Sequence, residues 1–119
     1  MRYKRLYYNV DIHGGGVGFH DLGQGFSRAG TIVLGPILYV PWIVPVNGVG
    51  DNFSLGTADQ PNLLAPLVFE PAYDTAGLTG APFPGTVFEV TSSSVWGVTV
   101  NTNDYLTGLY EFYLTLWTK

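Results

Sequence analysis

Thr31-Ile32-Val33-Leu34-Gly35-Pro36-Ile37-Leu38-Tyr39-Val40-Pro41-Trp42-Ile43-Val44-Pro45-Val46 is the most apolar run in the chain and carries no charge. Its β-branched and aromatic residues suit a pleated, buried surface. In length it approaches a membrane-spanning segment, which needs about 20 apolar residues. Pro36, Pro41 and Pro45 fall inside it, and each proline in a helix interior removes a donor and costs roughly 3 kcal/mol. The run therefore reads as two short strands, Thr31–Leu34 and Ile37–Val44, with a kink between them and no membrane span. The rest of the chain must cover it.

The flanking sequence supplies more strands. Arg2 to His13 alternates, with Leu6, Tyr8, Val10 and Ile12 on one face and Tyr3, Arg5, Tyr7, Asn9 and Asp11 on the other. Alternation of this kind marks a half-buried strand. Gly14-Gly15-Gly16 ends it, Val17–His20 reads as a short strand or an arm, and the glycines from Gly14 to Gly30 predict an irregular segment overall. Asn47-Gly48 is a hairpin-turn pair, followed by a short strand at Phe53–Leu55. Leu63–Glu70 is interrupted by Pro66, which confines it to a sheet edge. Pro71–Gly85 reads as a long loop. Strands follow at Thr86–Thr91 and Val95–Val100, with Trp96, Val98 and Val100 on one face. The last strand, Tyr105–Thr118, is apolar on both faces, which suits a strand covered on both sides. Tyr110, Phe112, Leu114 and Leu116 make one face, and Leu109, Glu111, Tyr113, Thr115 and Trp117 the other.

No segment combines helical periodicity with caps. Many short strands separated by turn signals imply a single domain over residues 1–119. The expected fold is an all-β antiparallel sandwich with long Gly/Pro-rich loops, and the jelly roll is among the topologies this allows. Strands near both termini are compatible with their pairing to each other.

Composition narrows the function classes. Charged residues make up 12 % of the 119 residues, about half the usual 25 % of soluble domains. Aromatics make up 15 %, and glycine and proline together account for 24 residues, so little of the surface can be covered by charge. There is no cysteine, which excludes disulfides, thiol catalysis and cysteine-ligated metals. The N-terminus lacks an apolar signal-peptide core, so no Sec export is expected. Arg2, Lys4, Arg5, Arg28 and Lys119 are the only cations, while seven carboxylates from Asp51 to Glu111 occupy the cation-free span between Ala29 and Trp117. If the termini meet, the molecule has one basic pole and an acidic body. A net charge of −4 argues against nucleic-acid binding except through that basic N-terminus.

Chemistry-bearing motifs are sparse. Asp11, His13, His20 and Asp21 have the donor types of a His₂-carboxylate metal site, but their spacing fits no metal motif. No metal or cofactor is assigned. There is no Gly-x-Ser-x-Gly, no phosphate-binding loop and no dinucleotide fingerprint. Nothing in the sequence brings carboxylates such as Glu70 and Asp74 to a catalytic separation. An enzyme is not expected.

What remains is a chain whose surface is meant to be covered. The sequence predicts a structural assembly protein, with a virion component (a small capsid, decoration or vertex subunit) as the kind expected, acting in the virion after synthesis in the host cytoplasm. Its partners would be copies of itself or other structural subunits. Tyr113, Thr115 and Trp117 are the expected contacts on the outer face of the last strand, with Arg2, Lys4 and Arg5 making polar contacts at the basic pole. The segments 14–30 and 71–85 would be adaptable arms. The alternative is a carbohydrate-binding, lectin-like module. It would use exposed aromatics among Trp42, Trp96, Trp117 and the tyrosines, with Asp and Asn from loops 47–52 and 101–104.

Overall fold

The computed structural model describes residues 2–43, 52–69, 79–80, 87–102 and 105–118. The elements, in chain order, are β1 (Arg2–Asn9), α1 (Val10–His13), β2 (Gly18–Ser27), β3 (Ile32–Ile43), β4 (Asn52–Thr57), β5 (Leu64–Phe69), β6 (Thr79–Gly80), β7 (Val87–Glu89), β8 (Ser94–Val100) and β9 (Leu109–Trp117). They form two antiparallel sheets. The first has the order β1-β9-β3-β6, with β7 also on β3, and the second has the order β2-β8-β4-β5.

The pairing is nested. β1 pairs with β9, β2 with β8, β3 with β6 and β7, and β4 with β5, all antiparallel. The two short strands both pair with β3, β7 at its start (Ile32–Leu34) and β6 at its middle (Leu38 and Tyr39), and together act as one interrupted strand. The chain is thus one long hairpin, turned between β4 and β5 and wound into two sheets. That is the topology of an eight-stranded jelly roll. The two terminal strands lie side by side, with Arg2 opposite Leu116 and Asn9 opposite Leu109.

The inner faces follow from the alternation. Leu6 and Tyr8 of β1, Val33 of β3, and Tyr110, Phe112, Leu114 and Leu116 of β9 are all buried. From the second sheet come Leu22, Phe53, Leu55, Leu64, Trp96, Val98 and Val100. Phe53 is the junction between the sheets. Its ring lies 5.5 Å from Tyr8, 4.9 Å from Tyr110, 5.4 Å from Tyr105 and 6.0 Å from Phe112, each edge-to-face. Such aromatic pairs contribute roughly 0.5–1.5 kcal/mol beyond the area they bury.

Three expectations are corrected. The apolar run is one strand rather than two: β3 continues through Gly35 and Pro36, and register shifts between Leu34 and Leu38 and between Pro41 and Ile43 absorb the prolines as bulges. The first strand ends at Asn9, because the Asn9 side chain accepts the Asp11 N–H at 2.9 Å and caps a single helical turn. Gly14, at φ 93°, closes that turn by donating its N–H to Val10 O. Asp11 and His13 consequently do not share a strand face, and Ile12 is exposed. Finally, the short strand allowed at Val17–His20 runs from Gly18 to Ser27, in place of an irregular segment. Gly23 and Gly25, both at positive φ, lie in a register shift between Asp21 and Phe26 that bends this edge strand without ending it.

β5 is the far edge of its sheet, as Pro66 requires. The Asn47-Gly48 turn, Glu70, Asp74, most of 71–85, and Asn103 and Asp104 lie outside the described residues. Among the described residues, no helix is long and apolar enough to cross a membrane.

Candidate functional site

The outer face of the first sheet is where its sequence alternation leaves large side chains unburied. On β1 these are Tyr3, Arg5 and Tyr7, and on β9 Tyr113, Thr115 and Trp117, while Glu111 on the same face is buried. The register aligns them in cross-strand rows. Tyr3 lies opposite Thr115, Thr115 opposite Leu34, and Leu34 opposite Val87. This row crosses four strands. Tyr3 is 85 % exposed and Val87 60 %, while Thr115 and Leu34 are half-buried. The next row places Trp117, 56 % exposed, beside Ile32 and then Glu89. Cross-strand neighbours on one face stand about 4.5–5.5 Å apart at Cβ, so these side chains form one surface, apolar and aromatic except for Thr115 within it and the exposed Glu89 at its margin.

Beside it lies a polar knot. Arg5 donates from Nε to Glu111 Oε2, and the Tyr113 hydroxyl donates to the same oxygen at 3.0 Å. The Arg5 guanidinium also sits 5.8 Å from the centre of the Tyr7 ring. Glu111 is buried, and a buried carboxylate is tolerated only when paired and hydrogen-bonded. Hydrogen bonding to Glu111, then to Tyr113, raises the Arg5 pKa above its ordinary value.

The three β9 residues expected at the interface, Tyr113, Thr115 and Trp117, share this face. The basic residues are divided. Arg5 belongs to the outer face and is neutralised by Glu111. Arg2 and Lys4 point to the inner side and, with Arg28, line a cavity of about 390 Å³ at the end of the sandwich, floored by Trp96. The Lys4 ammonium reaches across to Gly25 of β2, occupying the space a β-carbon there would need. The sequence reading missed Tyr3, Leu34 and Val87 as members of the surface. Alternation already put Tyr3 on the outer face of its strand, but the row joining it to Leu34 and Val87 depends on long-range register.

The histidines serve local structure. His13 Nδ1 accepts the Asn9 N–H at 3.0 Å, and His20 Nε2 donates to Gly16 O at 2.5 Å. Their rings flank Tyr8, with centroids 6.2 and 6.3 Å from its own. The Tyr8 hydroxyl donates to Gly14 O at 2.7 Å, and burial pushes its pKa up. Among the described residues, no three His, Asp or Glu side chains converge as a metal site.

No family model matches this sequence, and no curated protein matches it. Among solved structures, the chain is similar to one in the cyanophage Pam1 capsid asymmetric unit. The two are 15 % identical with a TM-score of 0.60, over 99 % of this chain and 84 % of that one. A chain in the acidic stable capsid structure of Helicobacter pylori bacteriophage KHP30 aligns over 98 % of this chain and 90 % of its own, at 14 % identity and a TM-score of 0.48. The likeness to the cyanophage chain is one of fold, and it covers nearly the whole sandwich.

Proposed function

We propose that this chain is a structural subunit of a virion, held by contacts between its outer sheet face and neighbouring subunits, copies of itself among them. The observation that carries this is the row Tyr3–Thr115–Leu34–Val87 together with Trp117. Soluble monomers rarely leave contiguous apolar surface of this kind uncovered, and interface cores are enriched in tyrosine, tryptophan and arginine. A chain with so few charges has little means of keeping such a face in water. Support also comes from the fold, since a chain that shares it is part of a phage capsid. The role is structural rather than enzymatic.

The test is Trp117→Asp, alone and with Tyr3→Asp. Surface substitutions usually change stability by no more than about 0.5 kcal/mol. The denaturation midpoint should therefore hold while light scattering shows loss of the assembled species. If instead the variants unfold, Trp117 belongs to the core and the face is misassigned. If they remain folded and assemble like the unsubstituted chain, the contact lies elsewhere.

A further inference from the structure

We propose that the lower half of the free edge of β1 takes up an extended acidic segment of another protein chain as an added strand, with its carboxylates seated between Arg2, Lys4 and Arg28. Among the described residues, β1 is the end of its sheet and pairs only with β9. The backbone of Tyr7 faces away from β9, because its N–H donates to Gln24 Oε1 at 2.6 Å and its C=O accepts from Gln24 Nε2 at 2.9 Å. Strand backbones alternate, so Tyr3 and Arg5 present their N–H and C=O on the same open edge. The Asn9 N–H is taken by His13. The upper half of the edge is thus closed by two side chains. Among the described residues, nothing bonds the backbone groups of Tyr3 or Arg5. Exposed edges are ordinarily blunted or paired, and among the described residues this one is blunted for half its length only.

The cavity lies at the open half. Arg2, Lys4 and Arg28 line it, and among the described residues no carboxylate does. Among the described residues, none of these three cations has an ion-pair partner. Three cations without an ion-pair partner among the described residues, gathered in a chain of net charge −4, select an anionic occupant by complementarity. An added strand turns alternate side chains to opposite faces of the sheet. One set would enter the cavity toward the cations and Trp96, and the other would lie beside Tyr3 on the outer face. A second β1 is a poor occupant, since it would set Arg2, Lys4 and Arg5 against their own copies. A nucleic acid has the charge but cannot supply the N–H and C=O ladder that the open edge offers. The proposal deepens the assembly reading by naming one partner chemistry.

The experiment selects peptides from a random display library on the full chain, then maps binding of the recovered peptides by amide hydrogen exchange. The expected peptides carry Asp or Glu at alternating positions. They should slow exchange of the Tyr3 and Arg5 amides by at least about tenfold, as ladder pairing does. Converting their acids to the corresponding amides should weaken binding by about tenfold or more, a change made without touching the protein. Lys4→Ser with Arg28→Ser should do the same. Recovery of no peptide, recovery of non-acidic peptides, or binding that leaves the Tyr3 and Arg5 amides unchanged would overturn the proposal. So would a thymidine oligonucleotide that displaces the selected peptides. Assembly of the peptide-free chain, followed separately by light scattering, distinguishes failure of this edge from failure of the assembly reading.

Discussion

The side-chain amide of Gln24 hydrogen-bonds both backbone groups of Tyr7, at 2.6 and 2.9 Å, and so stands where a neighbouring strand would otherwise pair. It ties the edge of β1 to the edge of β2, which belong to different sheets. Gln24 can reach Tyr7 because it sits in the glycine-flanked bulge of β2, where the strand has left its register with β8. Gln24→Ala should cost about 1–2 kcal/mol, the worth of two neutral hydrogen bonds. It should also speed exchange of the Tyr7 amide. Denaturant titration and residue-resolved exchange together check this, and an unchanged Tyr7 amide would mean that the edge is not guarded there.

Removing Arg5 should hurt more than its exposure suggests, because it leaves Glu111 buried without its cation. Arg5→Ala should lower the denaturation midpoint. Adding Glu111→Gln to that variant should restore part of the loss, since a neutral amide still accepts from Tyr113 without burying a charge. A double variant less stable than Arg5→Ala would contradict this account of the knot.

Gly15 has no room for a side chain. A β-carbon there would collide with the backbone carbonyl of Tyr105 and stand 2.8 Å from Val10 Cγ1, and Gly15 O accepts the Tyr105 N–H at 2.7 Å. Gly15→Ala should destabilise the fold by about 1–3 kcal/mol, the usual cost of overpacking, measured as a lower denaturation midpoint.

Burial of Tyr8 sets an alkaline limit. Its folded pKa is raised above the unfolded value of about 10, so the folded state holds the proton more tightly than the unfolded state does. The contribution is complete below pH 10 and is lost as pH rises from there toward the folded value. Stability measured against pH should fall from about pH 10 upward. Tyr8→Phe, though it loses the bond to Gly14 O, should show a shallower fall. An identical slope in both proteins would assign the loss to other groups.

Most of the fold was legible because its signal is local. Alternation in residues 2–9 and 109–117 gave both faces of β1 and β9, and Pro66 gave the edge position of β5. The errors fell where a side chain or bulge overrides the local pattern. Asn9 captures the Asp11 N–H and turns a strand end into a helical turn, and register slips let β3 absorb its prolines and β2 its glycines. The candidate surface was half legible. Tyr113, Thr115 and Trp117 follow from the period of one strand, while their row partners Tyr3, Leu34 and Val87 follow from pairings far apart in sequence. The basic residues at the start of the chain looked like one group, yet strand alternation sends Arg5 to one face and Arg2 and Lys4 to the other.

The measurement closest to the central claim is the mass of the chain in solution by light scattering across a concentration series, with electron microscopy of any heavy fraction. If the outer face of the first sheet seats neighbouring copies, the mass rises with concentration to a defined closed oligomer or shell, and Trp117→Asp abolishes that rise while leaving the chain folded. A mass that stays at one chain throughout, with Trp117→Asp indistinguishable from the unsubstituted protein, would contradict it.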